Sequence, residues 1–270
     1  MSGCVVIFSG GMNSTVGLYW AKQRFDTVHT LSVDYGQKHT KELTAAEFSA
    51  QLARVSHHEV VKLSSDMFYT SSSVICTGRE ELYNDPNDLR LRHEKRIGPD
   101  ESYIPFLNTH ILLIAVQYAL KNDLKSVVLC NSLSEFKRYN ENSDSYFAAL
   151  SNLIAETLNI DDIVIERPFG YMSKNMIISM AIDIPGCYNA LAFTHTGHDN
   201  QYPPIGYDLA TIERAAAFEN AGTPDPLVIR AWKERRMDLP RGHNYDRFRS
   251  DTLFPREQSL LDFLNQQKRS

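Results

Sequence analysis

The stretch Val5-Val6-Ile7-Phe8-Ser9-Gly10-Gly11-Met12-Asn13-Ser14-Thr15 decides the fold, because an apolar run there ends in a Ser-Gly-Gly turn that hydroxyl residues follow. The apolar run predicts a buried strand, and the segment from Ser14 onward predicts a helix. Glycines let a backbone approach an anion closely. A helix N-terminus offers unpaired N–H groups and a positive dipole end. The stretch therefore predicts a phosphate-binding loop, with hydroxyl donors at Ser9, Ser14 and Thr15.

This loop differs from the two best-known phosphate loops. The Walker pattern ends in Gly-Lys-Ser/Thr, and the loop contains no lysine. The dinucleotide fingerprint Gly-x-Gly-x-x-Gly is also absent. A Gly-Gly turn after a strand also occurs without any phosphate, so the phosphate interpretation depends on the flanking hydroxyl residues.

Short apolar, β-branched runs alternate along the chain with longer segments of helical periodicity. The predicted strands are Cys4–Phe8, Val28–Val33, His58–Leu63, Ser126–Cys130 and Ile163–Glu166. The predicted helices are Ser14–Arg24, Lys41–Leu52, Leu107–Lys121, Ser145–Leu158, Lys174–Ile182 and Asp208–Asn220. Such alternation is typical of a doubly wound α/β fold with a mainly parallel sheet. Ligands bind beyond the carboxyl ends of such strands, so we expect residues 9–15, 34–39 and 131–135 to converge on one crevice.

Composition indicates an ordinary globular protein, with 43% hydrophobic and 23% charged residues. The net charge of −5 disfavours nucleic acid as the main partner. No apolar run approaches the about 20 residues needed to span a membrane, and the first strand begins too early for a signal peptide to precede it. The cysteines form no Cys-x-x-Cys pair, which favours a reducing cytoplasm.

The pattern changes near residue 187. Residues 1–186 carry the predicted nucleotide-binding domain, with a long polar insertion at 64–102, and residues 187–270 are expected to form a loop-rich, helical C-terminal region. Within that region, residues 230–249 hold seven Lys or Arg against three acids, which is more typical of a solvated face than of a polyanion site. Four apolar residues near the C-terminus fit either a homodimer interface or packing on the chain's own core. They are Leu260, Leu261, Phe263 and Leu264.

Several segments together carry a resemblance to a known family. They are Ser9–Thr15, the run Asp34-Tyr35-Gly36-Gln37-Lys38-His39, the turn Ile104–Asn108, Cys187-Tyr188-Asn189, and the helix around Arg214. The first resembles the Ser-Gly-Gly-x-Asp-Ser loop of the PP-loop ATP pyrophosphatases. The second resembles the motif after the second strand in one branch, QueC, the 7-cyano-7-deazaguanine synthases, and the others stand at weaker motifs of that branch. The resemblance spans residues 4–227.

The resemblance implies a reaction. In this branch the carboxylate of 7-carboxy-7-deazaguanine attacks the α-phosphate of ATP, and pyrophosphate leaves. Ammonia then displaces AMP to give an amide, and a second activation gives the nitrile. The implied cofactors are ATP and Mg²⁺, and zinc is bound in the family by four cysteines.

The resemblance also implies site residues. The residues implied at ATP are Ser9, Gly10, Gly11, Asn13, Ser14, Thr15, Ser32 and Val33. Asn13 and Lys174 stand at catalytic positions, because the family has an aspartate in the loop and a lysine near the phosphates. The residues implied at the deazaguanine are Gln37, His39, Asn108 and Glu135. Two of these, Gln37 and His39, fit equally well as polar groups that close a turn, and Lys174 also fits a surface lysine at a helix start.

Asn13 is the first departure from the family pattern. An amide keeps the size and hydrogen bonding of the aspartate but loses the charge that helps to hold Mg²⁺. The sequence leaves open whether Asn13 tunes the loop or blocks turnover.

Zinc binding is the second departure, since Cys187 is the one zinc cysteine that remains. His195, His198 and Asp208 lie where further ligands would be, and a mixed Cys-His-His-Asp site is chemically allowed. A repacked loop without metal is the alternative that we favour.

The acceptor side departs as well. Phe106-Leu107 replace the Gly-Arg of the family turn, and the segment 134–139, with Glu135 as its candidate base-facing carboxylate, replaces a segment near the substrate. We therefore expect acyl-adenylate formation to be kept and the attacking amine to differ, with a protein amine favoured, as in QueC-like antiphage variants. The alternatives are a plain synthase that uses ammonia, a PP-loop tRNA-modifying enzyme, and an ATP-binding sensor without turnover.

Overall fold

The computed structural model describes residues 2–37, 41–68, 104–134, 140–159, 162–197, 201–203 and 208–250. Several predictions lie outside these ranges. They concern His39, Glu135, His198, the greater part of the polar insertion at 64–102, and the apolar residues near the C-terminus.

Five parallel strands form one sheet. They are β1 (Gly3–Ile7), β2 (Thr27–Asp34), β3 (His57–Lys62), β4 (Ser126–Val128) and β5 (Val164–Glu166). Their order is β3-β2-β1-β4-β5, and each neighbouring pair is parallel. The direction of winding reverses at β1, which lies between β2 and β4. In sheets of this kind the ligand crevice lies at that reversal, beyond the carboxyl end of the strand.

The helices alternate with the strands, as the sequence predicts. They are α1 (Met12–Lys22), α2 (Lys41–Leu52), α3 (Leu107–Lys121), α4 (Asp144–Leu158), α5 (Lys174–Asp183), α6 (Cys187–Ala190), α7 (Leu209–Asn220), α8 (Pro226–Lys233) and α9 (Asp246–Ser250). Short 3₁₀ turns lie at Ser65–Met67, Asn140–Asn142, Leu191–Phe193 and His243–Tyr245. The doubly wound α/β prediction is confirmed.

The sheet is covered on both faces, and side-chain alternation along β1 supplies each face in turn. Cys4, Val6 and Phe8 pack with α1, α2 and α5. Val5 packs on the opposite face with α3 and α4, where Leu112 is fully buried. Burial on both faces explains why the central strand β1 is a near-continuous apolar run.

The described part of the C-terminal region shares the first of these cores. Cys187, Leu191 and Phe218 are fully buried there beside residues of α1 and α5. Helices α6 and α7 therefore share the core that α1 and α5 form on the sheet. Among the described residues, no helix is long and apolar enough to cross a membrane.

Candidate functional site

The loop from Ser9 to Thr15 leaves the carboxyl end of β1 and enters α1. Gly10 has φ +77°, a conformation that glycine adopts without strain. A Cβ there would lie 2.5 Å from the Glu42 carbonyl oxygen and 2.6 Å from the Ala46 nitrogen, both backbone atoms of α2. Glycine is thus required at position 10 for two separate reasons.

Hydroxyl groups give the loop its internal order. Ser9 Oγ accepts a hydrogen bond from the Gly11 N–H at 3.2 Å and lies 3.1 Å from Ser14 Oγ. Ser14 Oγ donates to the Gly11 carbonyl at 3.2 Å. The Thr15 side chain is fully buried, so this predicted ATP ligand faces the core, and its backbone N–H closes the first turn on Gly11.

The N-terminus of α1 is suited to an anion. Its N-cap residue is Gly11, which has no side chain to occupy the first-turn N–H groups. The first turn, Met12-Asn13-Ser14, carries no negative charge that would repel a phosphate. The Gly11 cap makes no side-chain hydrogen bond to this turn, and the positive end of the helix dipole lies at the same point.

A segment from the C-terminal region supports the loop from the other side. The backbone N–H of His195 donates to the Gly10 carbonyl at 3.0 Å. His195, predicted as a zinc ligand, thus lies at the nucleotide loop, with its side chain 7% exposed.

The end of β2 provides structural contacts rather than exposed ligands. Ser32 is buried and its Oγ donates to the Phe8 carbonyl at 2.5 Å, which ties β2 to the start of the loop. Gln37 is 5% exposed and uses both ends of its amide, accepting from the Tyr35 N–H at 2.9 Å and donating to the Val33 carbonyl at 3.3 Å. Of the two roles left open for Gln37, these contacts support the closing of a turn.

Lys174 begins α5, and its Nζ lies 2.5 Å from the Glu213 carboxylate of α7. Both side chains are partly exposed and line a cleft of about 390 Å³. The other lining residues are Leu133, Ser134, Ser173, Asn175, Ala216, Ala217 and Asn220. Its described lining includes no residue of the loop 9–15, so Lys174 faces a neighbouring cleft in this conformation.

The turn before α3 keeps an unusual backbone. Phe106 has φ +63° and ψ +8°, the left-handed conformation that glycine favours, and its side chain is 64% exposed. The Glu141 carboxylate accepts from the Phe106 N–H at 2.7 Å and also faces the Asn108 N–H. Burial raises the pKa of Glu141, and these backbone N–H groups oppose that effect. Asn108, predicted at the substrate, therefore lies in the first turn of α3, whose N–H groups the Glu141 carboxylate accepts from a distant part of the sequence.

The predicted zinc ligands do not fit a zinc site in the described structure. Cys187 is fully buried in the core, and burial raises the pKa of its thiol to about 12, which disfavours the thiolate that zinc binds. Asp208 is the N-cap of α7 and accepts from the Thr211 N–H at 2.7 Å. His195 lies at the nucleotide loop. Among the described residues, no three His, Cys, Asp or Glu side chains are grouped to hold a metal. With His198 outside those residues, the mixed zinc site stays a prediction.

ATP and its Mg²⁺ place different demands on the same loop. The loop offers backbone N–H groups, hydroxyls and the Asn13 amide, which suit phosphate oxygens. Mg²⁺ keeps several waters and binds through few carboxylates and the substrate phosphates. With Asn13 in place of a carboxylate, the phosphates themselves would supply the charge that holds the ion.

Two sets of contacts near the site could not be predicted from the sequence. Glu141 lies in a polar segment that shows only a loop signal. Arg214 and Asp225 form a buried ion pair, with Nε to Oδ2 at 2.6 Å, although the sequence marked them only as parts of a weak motif. A Pro-Asp-Pro stop after an Ala-rich helix that contains an arginine was the signal available for that pair.

A parallel α/β sheet with a Ser-Gly-Gly loop at its reversal point defines a nucleotide-binding protein of the PP-loop class. The chain belongs to the QueC family, since the sequence profile described as "Queuosine biosynthesis protein QueC" matches residues 3–222.

Curated relatives agree with the family assignment. The chain is 30% identical to the 7-cyano-7-deazaguanine synthase of Laribacter hongkongensis over 233 residues, which cover 84% of this chain and 94% of that one. It is also 30% identical to the enzyme of that name from Chromobacterium violaceum, over 85% of this chain and 94% of that one.

A solved structure of NMN synthetase from Francisella tularensis aligns with 96% of this chain and 88% of that one. Its sequence identity is 11% and its TM-score 0.40, a likeness that supports no functional inference.

Proposed function

We propose that the protein is an ATP-dependent synthase that acts on 7-carboxy-7-deazaguanine. The carboxylate oxygen attacks the α-phosphate, the bond between the α-phosphorus and the bridging oxygen breaks, and pyrophosphate leaves. Ammonia then attacks the acyl carbon, AMP leaves with its oxygen, and loss of a proton gives the amide. The amide oxygen then attacks the α-phosphate of a second ATP, and pyrophosphate and one proton of the amide nitrogen leave. Loss of AMP with that oxygen and of the second nitrogen proton gives the nitrile.

The observation that carries this proposal is the N-terminus of α1 at the reversal point of the sheet. Its N-cap glycine makes no side-chain hydrogen bond to the first turn, and Ser9 and Ser14 add hydroxyls on the same loop. An N–H cradle suits pyrophosphate, whose negative charge grows as the bond to the α-phosphorus breaks. Family membership supports the deazaguanine as the acid, because the relatives described above are named for the nitrile product.

Lys174 is proposed as the cation for the leaving pyrophosphate. Its present partner is Glu213 at 2.5 Å. To act, the ammonium group leaves Glu213 and turns toward the loop, a side-chain rotation that a four-carbon stem permits.

Ammonia is the proposed amine, in place of the protein amine expected from the sequence. The described residues offer no specific observation in favour of a peptide site, and the named relatives are nitrile synthases. The proposal therefore stops at the ammonia-dependent reaction.

The test is a single incubation with ATP, Mg²⁺, 7-carboxy-7-deazaguanine and ammonium as the sole amine. We expect pyrophosphate, AMP and the nitrile, detected by a coupled pyrophosphate assay and by mass spectrometry. Pyrophosphate and AMP without amide or nitrile would favour another amine. Absence of pyrophosphate from this chain and from Asn13→Asp would contradict the proposal.

A further inference from the structure

Arg214 is a buried arginine whose hydrogen bonds all point to other elements. Nε and Nη2 donate to the two oxygens of Asp225, at 2.6 and 2.9 Å. Nη1 donates to Thr194 Oγ1 and to Thr196 Oγ1, each at 2.8 Å, and Nη2 also reaches the Leu191 carbonyl at 3.2 Å. Arg214 is 3% exposed and Asp225 2%, so the fork is fixed in a dry environment.

The two threonines flank the residue that touches the nucleotide loop. Thr194 and Thr196 lie on either side of His195, whose N–H donates to the Gly10 carbonyl at 3.0 Å. One nitrogen of Arg214 therefore holds both ends of a three-residue segment, and the middle of that segment is bonded to the phosphate loop. A Cβ at Gly11 would also lie 3.9 Å from the His195 carbonyl oxygen, so the segment runs along both glycines.

On its other side, Arg214 binds Asp225, which lies just beyond residue 222, where the match to the family profile ends. Asp225 accepts from the Leu227 N–H at 2.9 Å and so caps α8. The Asp225 N–H donates to the Tyr245 hydroxyl at 3.2 Å. Through Asp225, the C-terminal helices and the loop-contacting segment share one charged centre.

We propose that Arg214 is a positioning residue for the nucleotide loop, acting through the segment Thr194–Thr196 and the His195–Gly10 hydrogen bond. The role in ATP use rests on the function proposed above, whereas the effect on loop order does not. Gly10 and Gly11 have wide conformational freedom, and the bond from His195 removes part of that freedom before ATP binds. A loop ordered in advance binds its ligand without the full cost in conformational entropy.

The test removes single hydroxyl groups and leaves the ion pair with Asp225 intact. Thr196→Val keeps the side-chain shape and deletes one of the two acceptors for Nη1, and Thr196→Ser restores that acceptor. Thr223→Val is the matched control, because the Thr223 hydroxyl contacts Tyr188 at 2.9 Å in the same region and has no bond to the segment. We expect Thr196→Val to raise the KM for ATP roughly three- to tenfold with a much smaller change in kcat, since part of the lost hydrogen bond acts on loop order. The Ser variant and the Thr223 control should resemble the parent.

Amide hydrogen exchange of residues 9–16 gives a second measurement that does not need turnover. We expect faster exchange of the Gly10–Ser14 amides in Thr196→Val than in Thr196→Ser or Thr223→Val. Equal exchange in all three variants would overturn the positioning role, even if the enzyme is active. Faster exchange in a protein that forms no pyrophosphate would support the positioning of the loop and contradict the proposed function.

Discussion

Lys174 Nζ lies 2.5 Å from the Glu213 carboxylate, across the gap between the start of α5 and the middle of α7. The positive charge proposed to receive pyrophosphate is thus paired with Glu213 in this conformation. ATP must compete with Glu213 for this lysine, so the pair sets how strongly Lys174 responds to the phosphates.

Replacement of Lys174 by methionine should remove that charge and keep most of the side-chain volume. We expect kcat for pyrophosphate release to fall by roughly 10²–10³-fold, the range seen when one stabilising group is removed from developing charge. Lys125→Met is the matched control, because Lys125 forms an exposed ion pair with Asp162 at 2.7 Å, away from the site. Similar rates for Lys174→Met and the parent would show that Lys174 has no part in the chemistry.

Glu213→Gln should have a different effect, since it releases the lysine. We expect a lower KM for ATP, because Lys174 no longer needs to leave a carboxylate. The free energy of unfolding should change by less than about 1 kcal/mol, as is usual for a partly exposed ion pair. Steady-state kinetics and urea unfolding measure the two effects, and a higher KM for ATP would mean that Glu213 orients Lys174 instead of competing for it.

Gly10→Ala should abolish ATP binding. The new Cβ would lie 2.5 Å from a backbone oxygen of α2, and the positive φ adds strain of about 1 kcal/mol or more. Gly222→Ala is the control, since Gly222 has φ +66° but open space around its Cβ. Isothermal titration with ATP should give no heat of binding for Gly10→Ala and parental affinity for Gly222→Ala. Parental affinity in both would show that the loop does not require glycine at position 10.

Asn13→Asp should make ATP binding depend more strongly on Mg²⁺. Without the ion, a carboxylate in the first turn of α1 repels phosphate, and with the ion it supplies a ligand. We expect the affinity for ATP to fall in EDTA and the rate of pyrophosphate release to rise with Mg²⁺, relative to Asn13. Asn13→Ala separates the charge from the lost amide. Identical Mg²⁺ dependence in the Asn and Asp forms would contradict a metal-facing position for this residue.

Acid should destabilise the protein through His29. Burial, and to a smaller extent the neighbouring His57, lower its pKa from the ordinary 6.5. The unfolded chain therefore binds more protons than the folded chain just below pH 6.5, so stability falls as the pH drops from 6.5 toward the folded pKa. His29→Gln should flatten this loss in urea unfolding between pH 6.5 and 5. Tyr118→Phe, which removes the hydroxyl 2.9 Å from His29 Nδ1, should lower stability and leave the slope in place. An unchanged slope in His29→Gln would exclude His29 as the source.

Much of the fold could be predicted because its signals are local. The bounds of Lys41–Leu52 and Leu107–Lys121 agree with the structure, since apolar periodicity and flanking breakers mark both helices. Helix α1 begins at Met12, two residues before its predicted start at Ser14, because Gly11 serves as its N-cap. Strand β4 ends at Val128, before the predicted Cys130. A strand extends only where a neighbouring strand pairs with it, and a local apolar run does not show where that pairing ends.

The candidate site was harder to predict because its contacts are distant in sequence. The phosphate loop carries its own signal in Ser9, Gly10 and Gly11. The hydrogen bond from the His195 N–H to the Gly10 carbonyl joins residues 185 positions apart, so no local sequence pattern predicts it. The residue type of Cys187 permits zinc binding, but it does not show that the fold buries this side chain in the core.

The turn at Phe106 has a consequence for the residue types that its position accepts. The turn that this segment resembles has glycine at this position, and here a left-handed backbone carries an aromatic side chain. The residue type at position 106 therefore does not reveal the left-handed turn, whereas the backbone dihedral angles do. A glycine at position 106 would follow the same main-chain path at a lower conformational cost than Phe106 does.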